Sequence, residues 1–237
     1  MTCVKRMMMV QRNPHKKEPI KTNELVFLEP NKIGAEPFTT SDVIAEMTGN
    51  NYRSVQRIIE KQMERLETFG RVRFEITPLQ TKGGVQKHKL YRLNEPQATL
   101  LITFLKNTDT VANFKTELVR QFYAMRSELM KRQMLRTELK PIRREMTDVI
   151  QEVDNSKWAY KKYTDLAYKM AIGKTAAQLR KERGAQPKAI AIEYMTSAEI
   201  AAVSKLQNQI GVLLEMGMDY AQVKTMLLNR RLIDKPA

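Results

Sequence analysis

Between Asn51 and Arg57 the chain sets Asn51, Tyr52, Arg53, Ser54, Gln56 and Arg57 within two helical turns, and these side-chain types can read base edges. Arg spans the O6 and N7 acceptors of guanine, and Asn or Gln pairs with adenine in the same two-bonded way, each good pair being worth about 1–3 kcal/mol of discrimination. Further along, Arg71, Arg73, Lys82, Lys87, Lys89 and Arg92 stand against the single acid Glu75. That density suits phosphate oxygens, which anchor a protein on a duplex without reading its sequence. Solvated helix and hairpin faces account for the same residue types, and Tyr52 equally suits packing beneath the hairpin. Both readings stay open at the level of single residues.

Other chemistries have less to stand on. Cys3 is the only cysteine and His15 and His88 the only histidines, so neither a disulfide within the chain nor a cysteine-rich zinc site is available, and a histidine triad has little support. No metal and no cofactor are expected, and cysteine usage points to a reducing, cytoplasmic setting. Gly173, Lys174 and Thr175 resemble the end of a phosphate-binding loop, but Tyr168 occupies the position where that loop needs glycine and no strand precedes it. Carboxylates fall in no recognisable hydrolase pattern, so the expectation is a protein that is not an enzyme. Trp158, Tyr160, Tyr163 and Tyr168 cluster with Lys157, Lys161, Lys162 and Lys169. These form a secondary candidate for stacking on bases or meeting an acidic surface, against the alternative that tyrosines at helical spacing are core.

A formal net charge of +15 and a pI near 9.9 favour a polyanion through counterion release, with a generally basic surface as the plainer account. The 42% hydrophobic content is enough for packed cores and argues against wholesale disorder. Met7 to Val10 is far too short for a signal-peptide core, and no run approaches the roughly 18 apolar residues of a membrane span, so no membrane partner is expected.

Those side chains need elements to position them. Residues 1–24, with Pro14 and Pro19, read as a flexible arm. Leu25 to Leu28 suits a strand. Thr39 or Thr40 caps a short helix through about Thr48, with Asp42 in its first turn and Gly49 as terminator. Asn50 and Asn51 make a turn into a helix over 52–69, with Val55, Ile59, Met63 and Leu66 at helical spacing. Alternation over 71–77 and 85–93, joined through Gly83 and Gly84, predicts a hairpin. Asn94 caps a helix carrying Pro96 in its first turn, and this helix closes the core. Helix, turn, helix and hairpin is the winged-helix order. The fold class expected is therefore mainly α (α+β), with a winged-helix-like domain over 25–130.

From Thr110 a long amphipathic helix carries Val111, Phe114, Leu118, Phe122, Met125 and Leu129. Leu135, Leu139, Ile142, Met146 and Val149 resume the seam at heptad-like spacing, and Pro141 predicts a kink or a new start. Residues 131–154 thus read as a helical connector that also dimerises, and 155–237 as an all-helical C-terminal domain. That domain has helices near 174–183, 197–215 and 219–229, the middle one opened by the pair Thr196 and Glu199.

The stretches FTTSDVIAEMTGNNYRSVQRII and HKLYRLNEPQATLLITFLKNTDTVANFKTELVRQFYAMRSEL resemble the phage regulatory protein Rha family over about residues 36–130. The resemblance implies a bacterial phage or prophage regulator with an N-terminal DNA-binding module and an interchangeable C-terminal domain, and carries no catalytic residues. FGRVRFEITPLQTKGGVQ departs from the family in being more basic than its usual connection. Two functions follow as expectations. One is a regulator, dimeric or higher, that binds double-stranded DNA through the helix at 52–69 and the hairpin at 71–92. The other is an antirepressor that binds a phage repressor through its C-terminal helices.

Overall fold

The computed structural model describes residues 24–81 and 84–233; the arm expected over 1–24, apart from Glu24, lies outside them, as do Lys82 and Gly83. The described chain is mainly helical with one three-stranded antiparallel sheet near its N-terminal end. Strand β1 (Phe38–Thr40) leads directly into α1 (Ser41–Thr48). The Thr40 side chain accepts from the Val43 N–H, and Gly49 ends the helix at φ 66°, a left-handed conformation that glycine adopts without steric cost.

Asn51 caps α2 (Tyr52–Lys61) by accepting from the Arg53 N–H. The single helix expected over 52–69 is instead α2 and α3 (Met63–Glu67), separated at Gln62. The break is local: the Gln62 N–H is shared between the carbonyls of Ile58 and Ile59, and Leu66 still reaches the core. Strand β2 (Arg73–Thr81) runs past the expected end and through Pro78. The sheet order β1-β3-β2 makes β2 an edge strand, where a missing N–H is tolerated. Its partner β3 (Gly84–Asn94) pairs with it from Arg73↔Arg92 to Thr81↔Gly84. Among the described residues the apolar run at Leu25 to Leu28 makes one isolated bridge, Phe27 to Phe38, in place of the strand expected there. Packing holds it, with Leu25 and Val26 buried and the Leu25 N–H donating to Gln121 Oε1 at 2.7 Å.

Helix α4 (Glu95–Thr103) opens with reciprocal bonds between Asn94 and Gln97 and with proline in its first turn. Thr108 then caps α5 (Asp109–Val153), 45 residues long. Pro141 does not end it. Proline removes one N–H and costs about 3 kcal/mol inside a helix, and burial of Leu139 and Met146 on either side offsets that loss. Helices α6 (Ala159–Ile172), α7 (Ala176–Glu182), α8 (Ser197–Glu215) and α9 (Tyr220–Ile233) complete the chain, α8 opening with the predicted Thr196 and Glu199 pair.

Among the described residues three apolar clusters result. The first joins the sheet and α1–α4 to the first part of α5, with Ile44, Val55, Ile59, Leu93 and Phe122 inside. The second and third are C-terminal: one centres on Met146, Ile150, Ile210 and Leu214, the other on Leu139, Leu179, Ile200 and Val203. The seam expected to dimerise is therefore used within one chain. Leu139 and Met146 are buried, Leu135 and Val149 pack against the same clusters, and Ile142 is half-buried. A seam covered by its own C-terminal helices offers a second copy little surface, because α8 packs along it.

Nor is 131–154 a free connector. Arg132, 5% exposed, donates to Glu128 Oε1 at 2.9 Å and to Asn31 Oδ1 at 2.8 Å, while Glu128 also accepts from the Ser197 N–H and hydroxyl at 2.9 and 2.8 Å. The Ile33 N–H donates to the Glu193 carbonyl at 2.8 Å, and Arg136 pairs with the Glu193 carboxylate at 2.8 Å. N- and C-terminal segments are thus clamped to the same two turns of α5. Partial burial acts to raise the Glu128 pKa, but the bonds from Arg132 and Ser197 outweigh it and the net shift is downward. A carboxylate with a lowered folded pKa contributes stability above its unfolded value, and that contribution is lost as pH falls through the folded one. Glu128→Ala should cost about 1–3 kcal/mol in urea unfolding at neutral pH, and the gap from the parent protein should narrow on acidification; a gap independent of pH would contradict this assignment.

Candidate nucleic-acid interface

Strand β3 has an open edge. Strand β1 pairs with Arg92, Leu93 and Asn94, and among the described residues no strand continues it along Val85 to Tyr91 on that side. Alternate residues of a strand direct their N–H and C=O to the same side, which places Leu93, Tyr91 and Lys89 in one row. Helices satisfy what β1 does not: the Tyr91 N–H donates to the buried Ser41 hydroxyl at 3.1 Å. The Lys89 carbonyl accepts from the Tyr52 hydroxyl and the Gln56 amide, each at 3.3 Å.

Around this edge further contacts fix α2 to the hairpin. Tyr52 packs on His88 with ring centroids 3.9 Å apart. His88 is buried and its Nε2 lies 2.8 and 3.0 Å from the two Asp42 carboxylate oxygens. Arg53 Nη2 donates to Gln86 Oε1 at 3.2 Å, nearer the tip. At the other end of α2, the Tyr91 hydroxyl donates to Glu60 Oε1 at 3.2 Å, and Lys89 Nζ lies 3.9 Å from the same oxygen and 5.4 Å from the centroid of the Phe74 ring.

The expected base-reading residues therefore divide by role. Asn51 is the helix cap, and Tyr52 and Gln56 are committed to the Lys89 carbonyl. Ser54 and Arg57 are exposed, and Arg53 is exposed with one guanidinium nitrogen on Gln86. The phosphate set divides too. Lys87 is exposed near the tip, and Lys89 has its ammonium between Glu60 and Phe74. Arg71 and Arg73 are exposed at the base of the hairpin, lining a groove of about 920 Å³ with Glu60, Glu67 and Glu75. Arg92 departs from expectation: Glu75 and Glu29 hold its guanidinium at 2.7 and 3.1 Å, over the Phe38 ring. Its charge is used inside the fold. Lys82 lies outside the described residues.

His88, Asp42, Ser41 and Gln86 were missed as site residues in the sequence. Asp42 there signals only a helix N-terminus, and nothing local connects it with a histidine 46 positions away. The aromatic cluster near α6 also divides. Tyr163 and Tyr168 are core, whereas Trp158 is 62% exposed with Lys157 and Lys161 each 5.6 Å from its ring centroid. Lys162 is paired with Asp154.

The helices, hairpin and following α4–α5 pair just described coincide with one known sequence pattern. Residues 39–127 match the family model of phage regulatory protein Rha. The Rha-matched segment begins at β1, takes in the whole docked edge of β3 and ends inside α5. It leaves the C-terminal helices unmatched. No curated protein matches the chain. Among the described residues, no helix is long and apolar enough to cross a membrane.

Burial, and then the adjacent Glu60 carboxylate that accepts its proton, push the Tyr91 phenol up to about 12. A group raised in the folded state contributes stability below its unfolded pKa, near 10, and loses it as pH rises through the folded value. Ultraviolet titration should show a late phenol near pH 12 that disappears in Tyr91→Phe; an unchanged late titration in that variant would contradict the Tyr91–Glu60 contact. Tyr163, also pushed up to about 12 by burial and the nearby Asp154, supplies the second late phenol.

Proposed function

We propose that this chain is a phage regulator that binds double-stranded DNA, presenting α2 to the major groove and the tip of the β2–β3 hairpin to the backbone as a winged-helix protein does. One observation carries the reading: Tyr52, Gln56 and Arg53 tie the first turns of α2 to Lys89 and Gln86, so that helix and hairpin move as one body. Arg53 then lies beside the hairpin end that bears Lys87, and Arg57 is exposed one turn further along α2. A pre-organised surface of this kind avoids the cost of ordering two elements on binding. The match of this segment to a regulatory family supports the same reading.

The division of roles refines the expectation. Arg57 and Ser54 are the free base readers on α2, Arg53 reads while braced by Gln86, and Tyr52 and Gln56 serve the dock. Against a duplex selected from a random pool, Arg57→Ala should lose about 1–3 kcal/mol of discrimination at one position. Lys87→Ala should weaken binding to every duplex and reduce the slope of log affinity against log salt by about 0.9. Arg92→Ala should leave that slope unchanged. Fluorescence anisotropy detecting no duplex binding even at low salt would overturn the proposal.

A second reading is capture of a phage repressor through the C-terminal helices, and a surface feature favours it. An apolar groove of about 390 Å³ runs between α8 and α9, where Val212 and Met226 are exposed. On this reading Val212→Asp abolishes capture of the cognate repressor while duplex affinity is kept, and a parent protein that captures none removes the reading.

A further inference from the structure

Helix α5 carries a stripe that none of the described residues covers. Val119, Tyr123, Met130 and Met134 are exposed, Tyr123 and Met130 at 63% and 66%. At about 100° per residue these four fall within an arc of about 60°, on the side opposite Glu128, Arg132, Leu135 and Leu139, which face the C-terminal helices. Ala112 and Thr116 extend the stripe toward one end of the helix, and Thr137 and Pro141 toward the other, all exposed. No charged residue falls in the arc over these roughly 30 residues, about 44 Å of helix, although the chain carries 67 charged residues as 41 basic and 26 acidic.

The spacing of the stripe is its own mirror image. Counted outward from the midpoint between Arg126 and Ser127, Tyr123 matches Met130, Val119 matches Met134, Thr116 matches Thr137 and Ala112 matches Pro141. A helix read backwards thus presents uncharged positions at the same heights, which is what a two-fold interface requires, since the same patch must serve both sides. A receptor for one of these side chains is already formed. Beside Val119 lies a groove of about 600 Å³, lined by Phe69, Pro96, Leu100 and Tyr123. In antiparallel register the second copy's Met134 meets Val119 at that groove, and methionine, unbranched and flexible, fills irregular apolar gaps.

We infer that two copies of this chain associate through antiparallel pairing of α5 about a two-fold axis between Arg126 and Ser127, each copy's Met134 entering the other's Phe69–Leu100 groove. This places the dimer contact on the opposite side of α5 from the heptad-like seam, which the chain fills itself. The stripe uses no residue of α2 or of the hairpin, so the inference stands or falls apart from DNA binding. Two Arg126 side chains flank the axis, so added salt, by screening their repulsion, strengthens association. Salt weakens duplex binding, the opposite sign.

The test is sedimentation equilibrium of the full chain across micromolar to near-millimolar concentrations, with disulfide trapping in a Cys3→Ser background. A dimer is expected, and Tyr123→Lys or Met130→Lys should raise its dissociation constant roughly a hundredfold, because a cation would be buried there beside the two Arg126 side chains with no acid to pair it. Both sites are exposed in one copy, so circular dichroism should stay unchanged, as should thermal melting at concentrations where the parent chain is itself monomeric. Trapping reads the register. A mixture of Tyr123→Cys and Met130→Cys chains should form a mixed disulfide dimer, whereas each alone should not, since like positions stand about 10 Å apart along the axis. A protein that stays monomeric, or single variants that cross-link to themselves, would overturn the inference.

Discussion

The open edge of β3 is the constraint on which the N-terminal half depends. A strand edge left unpaired exposes a row of backbone donors and acceptors, a hazard that proteins manage by covering or shortening it. Here the third strand stops after three residues and side chains take over its role: Ser41 for the Tyr91 N–H, Tyr52 and Gln56 for the Lys89 carbonyl. Because the groups that satisfy the edge belong to α1 and α2, closing the sheet and orienting the exposed helix are one event. His88 and Asp42 reinforce it from beneath, tying α1 to the same strand. The basic residues that remain exposed on α2 and at the hairpin end are those that this arrangement leaves over.

Helix α5 performs the corresponding task for the whole chain. Its first turns close the core under the sheet, its middle is gripped from both ends of the sequence at Glu128, Arg132 and Arg136, and its last turns enter the C-terminal clusters. A single unbroken helix shared by three clusters links the C-terminal helices to the N-terminal half without an intervening loop. This also explains why proline is accepted at position 141: the packing on either side of it belongs to the two C-terminal clusters.

What was legible in the sequence was whatever has a local physical signature. Thr39 or Thr40, Asn94, and the Thr196 and Glu199 pair mark helix starts because capping is satisfied within three or four residues, whereas the cap at Asn51 and the reciprocal bond from Gln97 came only with the structure. The hairpin was legible through its period of two, and the candidate surface through its density of Arg and Lys. What was not legible depends on contacts between distant positions. Apolar periodicity shows that Leu139 and Met146 face something, but not whether that is a second chain or α8. Charge type shows that Arg92 is cationic, but not that Glu29 and Glu75 hold it. Tyr52 and Gln56 have the chemistry of base readers, and only the fold reveals that their hydrogen bonds go to Lys89.

On the proposed function, α2 and the hairpin end act together as one reading surface. Backbone amide shifts of the isotopically labelled full chain, followed during titration with duplex DNA, test it most directly. Perturbations concentrated at residues 53–61 and 84–89 that grow in parallel with a single affinity are expected. Shifts centred on Trp158 and the start of α6 with α2 silent, or helix and hairpin responding with separate affinities, would contradict it.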